Sequence, residues 1–174
     1  MINKGLVSTR ALPKINPLRG FGPEQNGLVD TETAPVSAGV TIKSGQVISL
    51  DASGEWILGC PTGKVPYFAQ QDSADGDVTS SGLLTGLSCS GDYVIETGYI
   101  EDLSTNKTAN ENTYALDVEV TADAANPGSI KVAGTGDAVL GKVARQAGYI
   151  DAFEDATDKK VVVIRTLYTG LLAL

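Results

Sequence analysis

From Val36 onward the sequence is a succession of short apolar runs broken by Gly, Pro, Asn, Asp and Ser, and this spacing leaves little room for long helices. The clearest run is Gln46-Val47-Ile48-Ser49-Leu50-Asp51, which alternates apolar and polar residues with a period of two. Ala52-Ser53-Gly54 then supplies turn residues, and Glu55-Trp56-Ile57-Leu58-Gly59-Cys60 runs back, so a β-hairpin is expected. Further strands are expected over residues 65–70, 83–88, 93–99, 114–121, 129–133, 138–145 and 160–168. Asn126-Pro127-Gly128 and Gly134-Thr135-Gly136-Asp137 read as turns. Residues 137–147 carry some helical spacing, but Gly141 and the turn just before it favour a strand. No repeat of fixed period is apparent, which argues against a solenoid. The fold class expected is all-β, a small barrel or sandwich-like body over residues 36–174 preceded by an extended arm over residues 1–35.

Charge sets the first part of the arm apart from the rest of the chain. Residues 1–20 hold Lys4, Arg10, Lys14 and Arg19 with no acid, leaving nine basic and 21 acidic residues, a net of −12, for the remainder. Within residues 1–35, Pro13, Pro17, Pro23 and Pro35 fall among Gly5, Gly20, Gly22 and Gly27, which blocks a long helix and favours extended backbone. The arm also carries Leu6, Val7, Leu12, Ile15, Leu18, Phe21 and Leu28, more apolar groups than a purely solvated tail needs. Such a segment is expected to order against a surface, on a neighbour or on its own body. Fully extended, its first 20 residues could reach roughly 66 Å, so a neighbouring subunit is within range.

Composition removes several functions. The chain has no histidine, which excludes Ser-His-Asp and Cys-His catalysis and the usual imidazole ligands of zinc, iron and copper. A net charge of −8 disfavours nucleic acid and anionic membranes as partners. No apolar run of the secretory kind opens the chain, and residues 161–174 are too short, and interrupted by Arg165, to span a bilayer. Cys60 and Cys89 form no Cys-x-x-Cys motif and read as buried thiols. The Asn106-Lys107-Thr108 sequon has no weight without export.

Chemical motifs are sparse. Gly59-Cys60-Pro61-Thr62-Gly63-Lys64 departs from a phosphate loop, because its glycines are one position too close and Val65 stands where Ser or Thr is required. Gly134-Thr135-Gly136 with Gly141 lacks dinucleotide-binding spacing. Asp72-Ser73-Ala74-Asp75-Gly76-Asp77 is the densest acidic loop, but it departs from the EF-hand pattern and Leu83 replaces the bidentate glutamate, so it reads as a solvated surface. Glu101/Asp102 and Glu154/Asp155 lack a fixed geometry for acid–base work. Trp56, Tyr67, Phe68, Tyr93 and Tyr99 could be imagined as a stacking platform for sugars or bases, though their spacing suits core or interface positions better. No cofactor, metal or catalytic residue is expected, and the chain does not read as an enzyme.

Four stretches occur in an order that resembles the β-rich head decoration, or capsid cement, proteins of tailed bacteriophages. They are residues 45–55 (GQVISLDASGE), 65–72 (VPYFAQQD), 82–97 (GLLTGLSCSGDYVIET) and 132–143 (VAGTGDAVLGKV), and the likeness spans roughly residues 40–168. The resemblance implies a structural protein on the outer surface of a virion head, made in the host cytoplasm. It implies a homotrimer that binds the major capsid protein and stabilises contacts between neighbouring capsid subunits, with neither nucleic acid nor membrane as a partner. The arm lies outside the shared pattern, and its role is read from its residues: Leu6, Arg10, Leu12, Lys14, Ile15, Leu18, Arg19 and Phe21 are the expected capsid-binding positions. The alternatives are a fibre or adhesin module that recognises a host glycan, and a self-stacking virion part such as a tail-tube subunit.

Overall fold

The structure, a computed structural model, describes residues 31–89, 94–100, 113–145 and 162–166. Its elements are β1 (Thr31–Ala34), β2 (Val47–Leu50), β3 (Trp56–Leu58), β4 (Tyr67–Ala69), α1 (Gly76–Ser81), β5 (Leu84–Ser88), β6 (Val94–Thr97), β7 (Glu119–Ala122), β8 (Ile130–Val132), β9 (Gly141–Arg145) and β10 (Val162–Thr166). The all-β expectation is met: the strands form two five-stranded sheets, ordered β1-β5-β4-β2-β3 and β6-β10-β9-β7-β8, in which every paired neighbour is antiparallel. Each of the nine expected strand regions contains a strand, including β9, where strand and helix competed. The strand expected over 114–121 begins only at Glu119, because Leu116 and Asp117 form a turn.

Two elements depart from the sequence reading. Thr31–Ala34, at the end of the span read as an arm, pairs with β5 along Thr31↔Leu87 to Ala34↔Leu84. Gly76–Ser81 is a short helix that ends on Gly82 in the left-handed region, with Val78 its one buried residue. The charged loop expected at 151–159 lies outside the described residues.

The two sheets are the same unit twice. Adding five to each strand number of the first sheet gives the order of the second, and several main-chain hydrogen bonds recur at equivalent positions. Asp51 N donates to Glu55 O at 2.9 Å, as Asp123 N donates to Ser129 O at 2.9 Å. The pairs Ala69 N→Gln46 O and Gly59 N→Val47 O recur as Val143 N→Val118 O and Ala133 N→Glu119 O. Ile48 opposes Leu58 and Tyr67 in the first unit, as Val120 opposes Val132 and Gly141 in the second. In both units the segment after the first strand reaches the far edge strand: Val36 forms a parallel bridge with Trp56, and Ile100 with Ile130. The duplication has no fixed period in sequence because the connecting segments differ in length, and it is masked further because bonding positions match where residue types do not.

Both faces of the first sheet are covered. In β2, Ile48 belongs to a cluster with Ala34, Ile42, Trp56, Ala69, Val78 and Leu84, whereas Val47 belongs to another with Phe68, Leu87 and Cys89. The second cluster continues into the C-terminal unit through Ile100, Tyr114, Val120, Ile130, Leu140 and Val143. Neighbouring β2 residues therefore serve two cores, the period-two consequence of the pleat. Trp56 is fully buried, and its Nε1 donates to Leu84 O at 2.7 Å. β3 and β5 are separated by β2 and β4, so this direct bond requires a strongly curled sheet.

Candidate functional site

The equivalence of the two units makes their joint, and the surfaces the joint leaves open, the informative part of the molecule. The β7–β8 turn of the C-terminal unit seats on the N-terminal unit. Gly128 O accepts from Val47 N at 2.9 Å, and Thr97 Oγ1 donates to Gly45 O at 2.8 Å in a buried bond. Glycine suits Gly128 on two counts: its φ is +93°, and a Cβ there would crowd Gln46 Nε2 at 3.0 Å and Leu58 Cδ2 at 3.1 Å. On the facing side a Cβ on Gly59 would meet Pro127 Cβ at 3.2 Å. Val47, Phe68 and Leu87 form the apolar floor beneath.

The equivalent positions elsewhere are open. In the N-terminal unit the matching turn is Ala52-Ser53-Gly54, all three residues exposed, and nothing stands within 4 Å of a Cβ built on Gly54. In the C-terminal unit the face matching Gln46, Leu58 and Gly59 is formed by Val118, Val132 and Ala133. Val132 is 36% exposed and the nearby Leu116, at the position of Ser44, 58% exposed. Val47 and Phe68 are replaced there by Glu119 and Lys142, which pair with each other at 3.4 Å.

Beside the joint lies a cleft of about 420 Å³, bordered by the Cys60–Lys64 loop and by Thr121, Ala122, Asp137 and Leu140. The loop is a turn between two strands, closed by Lys64 N→Pro61 O at 3.1 Å with Gly63 at φ +81°, as its sequence suggested. Cys60 and Cys89 are both free thiols. Burial pushes the Cys60 thiol up to about 11, and burial, then the neighbouring Cys60, holds that of Cys89 well above the ordinary value. At neutral pH the Cys60 thiol that borders the cleft is therefore held in its protonated form.

The acidic loop is not simply a solvated surface. Asp72 accepts from Ser44 N at 2.8 Å and from Lys43 Nζ at 3.0 Å, Asp75 accepts from Asp72 N at 3.1 Å, and Asp77 from Gln71 Nε2 at 2.6 Å. The burial that would raise the Asp72 pKa is outweighed by the Ser44 and Lys43 bonds, which hold it below the usual range. The loop thus fixes residues 42–45, the side of the joint that receives Thr97. Among the described residues no group of three His, Cys, Asp or Glu is arranged to hold a metal ion, and no helix is long and apolar enough to cross a membrane.

Of the five aromatics considered as a platform, Trp56 and Phe68 are fully buried, Tyr67 meets Trp56 edge-on at 5.0 Å, Tyr99 is half-buried, and Tyr93 lies outside the described residues. Leu6, Arg10, Leu12, Lys14, Ile15, Leu18, Arg19 and Phe21 also lie outside them. The residues of the joint were not singled out by sequence reasoning. Asn126-Pro127-Gly128 was legible as a turn, but nothing in the sequence tells a buried turn from an exposed one. No known protein family, curated protein or solved structure matches the chain.

Proposed function

We propose that this chain is a structural virion protein that binds the outer surface of a phage head as a homotrimer and stabilises contacts between neighbouring major capsid subunits. The observation that carries the reading is where the four stretches of the resemblance fall. Residues 45–55 are β2 and its turn, 65–72 contain β4, 82–97 contain β5 and β6, and 132–143 run from the end of β8 into β9. The likeness therefore follows the framework of both units and not one hairpin.

The arm supplies the attachment. It precedes β1, an edge strand whose first three residues are exposed, so the chain enters the body at its margin. Ordering an extended segment costs about 1–2 kcal/mol per residue of backbone entropy. Burying Leu12, Ile15, Leu18 and Phe21, at about 1.5–3 kcal/mol for each large apolar side chain, offsets part of that cost. Arg10, Lys14 and Arg19 add charge pairing, and three arms per trimer add avidity. The adhesin reading loses its best aromatic, because Trp56 is fully enclosed in the core and closed to a sugar.

The test is the copy number of the chain relative to the major capsid protein in gradient-purified particles. A ratio near one, or a fixed large fraction of it, supports cementing over the whole lattice. A few copies per particle, or none, overturns it. Deleting residues 1–20 is expected to leave the body folded and to weaken retention on heads under salt and heat challenge.

A further inference from the structure

We propose that copies of this chain associate head to tail by repeating between chains the joint that unites the two units within one chain. The β2–β3 turn of one copy, Ala52-Ser53-Gly54, seats on Val118, Val132 and Ala133 of the next. The proposal specifies the self-association in the function proposed above, but it does not rest on capsid attachment.

Three observations converge. First, the joint is heterologous: a turn of one unit meets a different surface of the other, so one joint leaves an unused turn at one end and an unused receiving face at the other. Second, the unused turn, three residues long against five in the used one, is anchored by an equivalent aspartate. Asp51 Oδ1 accepts from Ser53 N at 2.7 Å and from Glu55 N at 3.0 Å, and Asp123 Oδ1 accepts from Ala125 N at 2.9 Å. Each turn is pre-organised by its aspartate before docking, which lowers the ordering cost of association. Third, two of the exposed large apolar residues among those described, Val132 and Leu116, lie on the unused face. Glu119 and Lys142 replace the apolar floor but neutralise each other, so the joint between chains is more polar and more readily reversed than the one within a chain.

The experiment uses two full-length variants, Ser53→Cys and Ala133→Cys, mixed under mild oxidation and resolved without reductant, with the bonded peptides identified by mass spectrometry. Pro127 touches Gly59 in the joint, and Ser53 with Ala133 is the corresponding pair between chains. The expected product is a bond between the two introduced thiols that forms in the mixture and in neither variant alone. Val132→Glu or Leu116→Asp in the receiving chain is expected to cut its yield at least tenfold while circular dichroism stays unchanged. Homodimers of either single variant as the main product, or a chain that sediments as a monomer throughout the micromolar range, would overturn the proposal. A yield insensitive to both apolar substitutions would do the same. None of these results bears on the copy-number test.

Discussion

Gly45 and Asp117 hold the same position in the two units, each donating its backbone N–H to the middle strand of its sheet, to Ala69 O of β4 at 2.7 Å and to Val143 O of β9 at 2.9 Å, and each in the left-handed region at φ +85° and +66°. One unit meets the requirement with glycine. The other uses an aspartate, the only described non-glycine residue with positive φ. Side chains in that region cost roughly 1–2 kcal/mol. Asp117→Gly is therefore expected to stabilise by up to about 1 kcal/mol, since the relieved strain is partly offset by the greater freedom of glycine in the unfolded chain. Gly45→Ala is expected to destabilise by about 1–2 kcal/mol. Urea denaturation of both variants measures the two signs.

Trp56 crosses the sheet to lie against Gly86, where a Cβ would stand 2.8 Å from Cη2 and 2.9 Å from Cζ2 of the indole and 3.1 Å from Tyr67 Cβ. The indole is also held by its bond to Leu84 O, so it cannot swing aside without breaking that bond. Gly86→Ala is expected to cost about 1–3 kcal/mol by overpacking. Since Trp56 is the chain's single tryptophan, its emission reports the unfolding directly.

Acid is expected to loosen the molecule through its turns. The backbone N–H of Glu55 lowers the pKa of Asp51, and for Asp123 the Asn126 amide and neighbouring N–H groups outweigh the burial that would raise it. A carboxyl depressed in the folded state contributes stability that is fully present above the unfolded value, about 3.9, and is lost as pH falls through the folded value. Thermal unfolding followed from pH 6 to pH 2 is expected to show the loss below about pH 4. Asp123→Asn is expected to flatten that slope.

Both thiols are expected to resist modification while the chain is folded. At pH 7.5 the Cys60 pKa of about 11 leaves a negligible thiolate fraction, and Cys89 is fully buried. Ellman's reagent is expected to react with two thiols promptly in denaturant and with neither promptly in buffer.

The strands were legible where apolar residues alternate against turn residues, as in β2 with Ala52-Ser53-Gly54. β1 was not, because Thr-Glu-Thr-Ala carries no alternation of hydrophobicity and earns its place only by pairing with β5. α1 has one buried residue in six, too few to show a helical stripe. The duplication was hidden because the two units meet different surroundings. Phe68 lies under a joint and its counterpart Lys142 is part-exposed and paired with Glu119, so equivalent positions carry opposite chemistries on one bonding pattern. The joint itself depends on which of two similar turns is covered, a property of the assembled fold and not of either turn.

The way the chain enters the body also decides how it would bear tension. β1 is held along one side by four register pairs with β5, and immediately afterwards Pro35 and Ser37 bond to Trp56 on the opposite edge strand. A pull exerted through the residues before Thr31 must first peel β1 from β5, which draws Ala34 out of its cluster, and then release a second row of bonds on a different strand before it reaches Ile42. The body therefore meets mechanical load with two successive barriers at its entrance, the first of which already holds a core residue, Ala34.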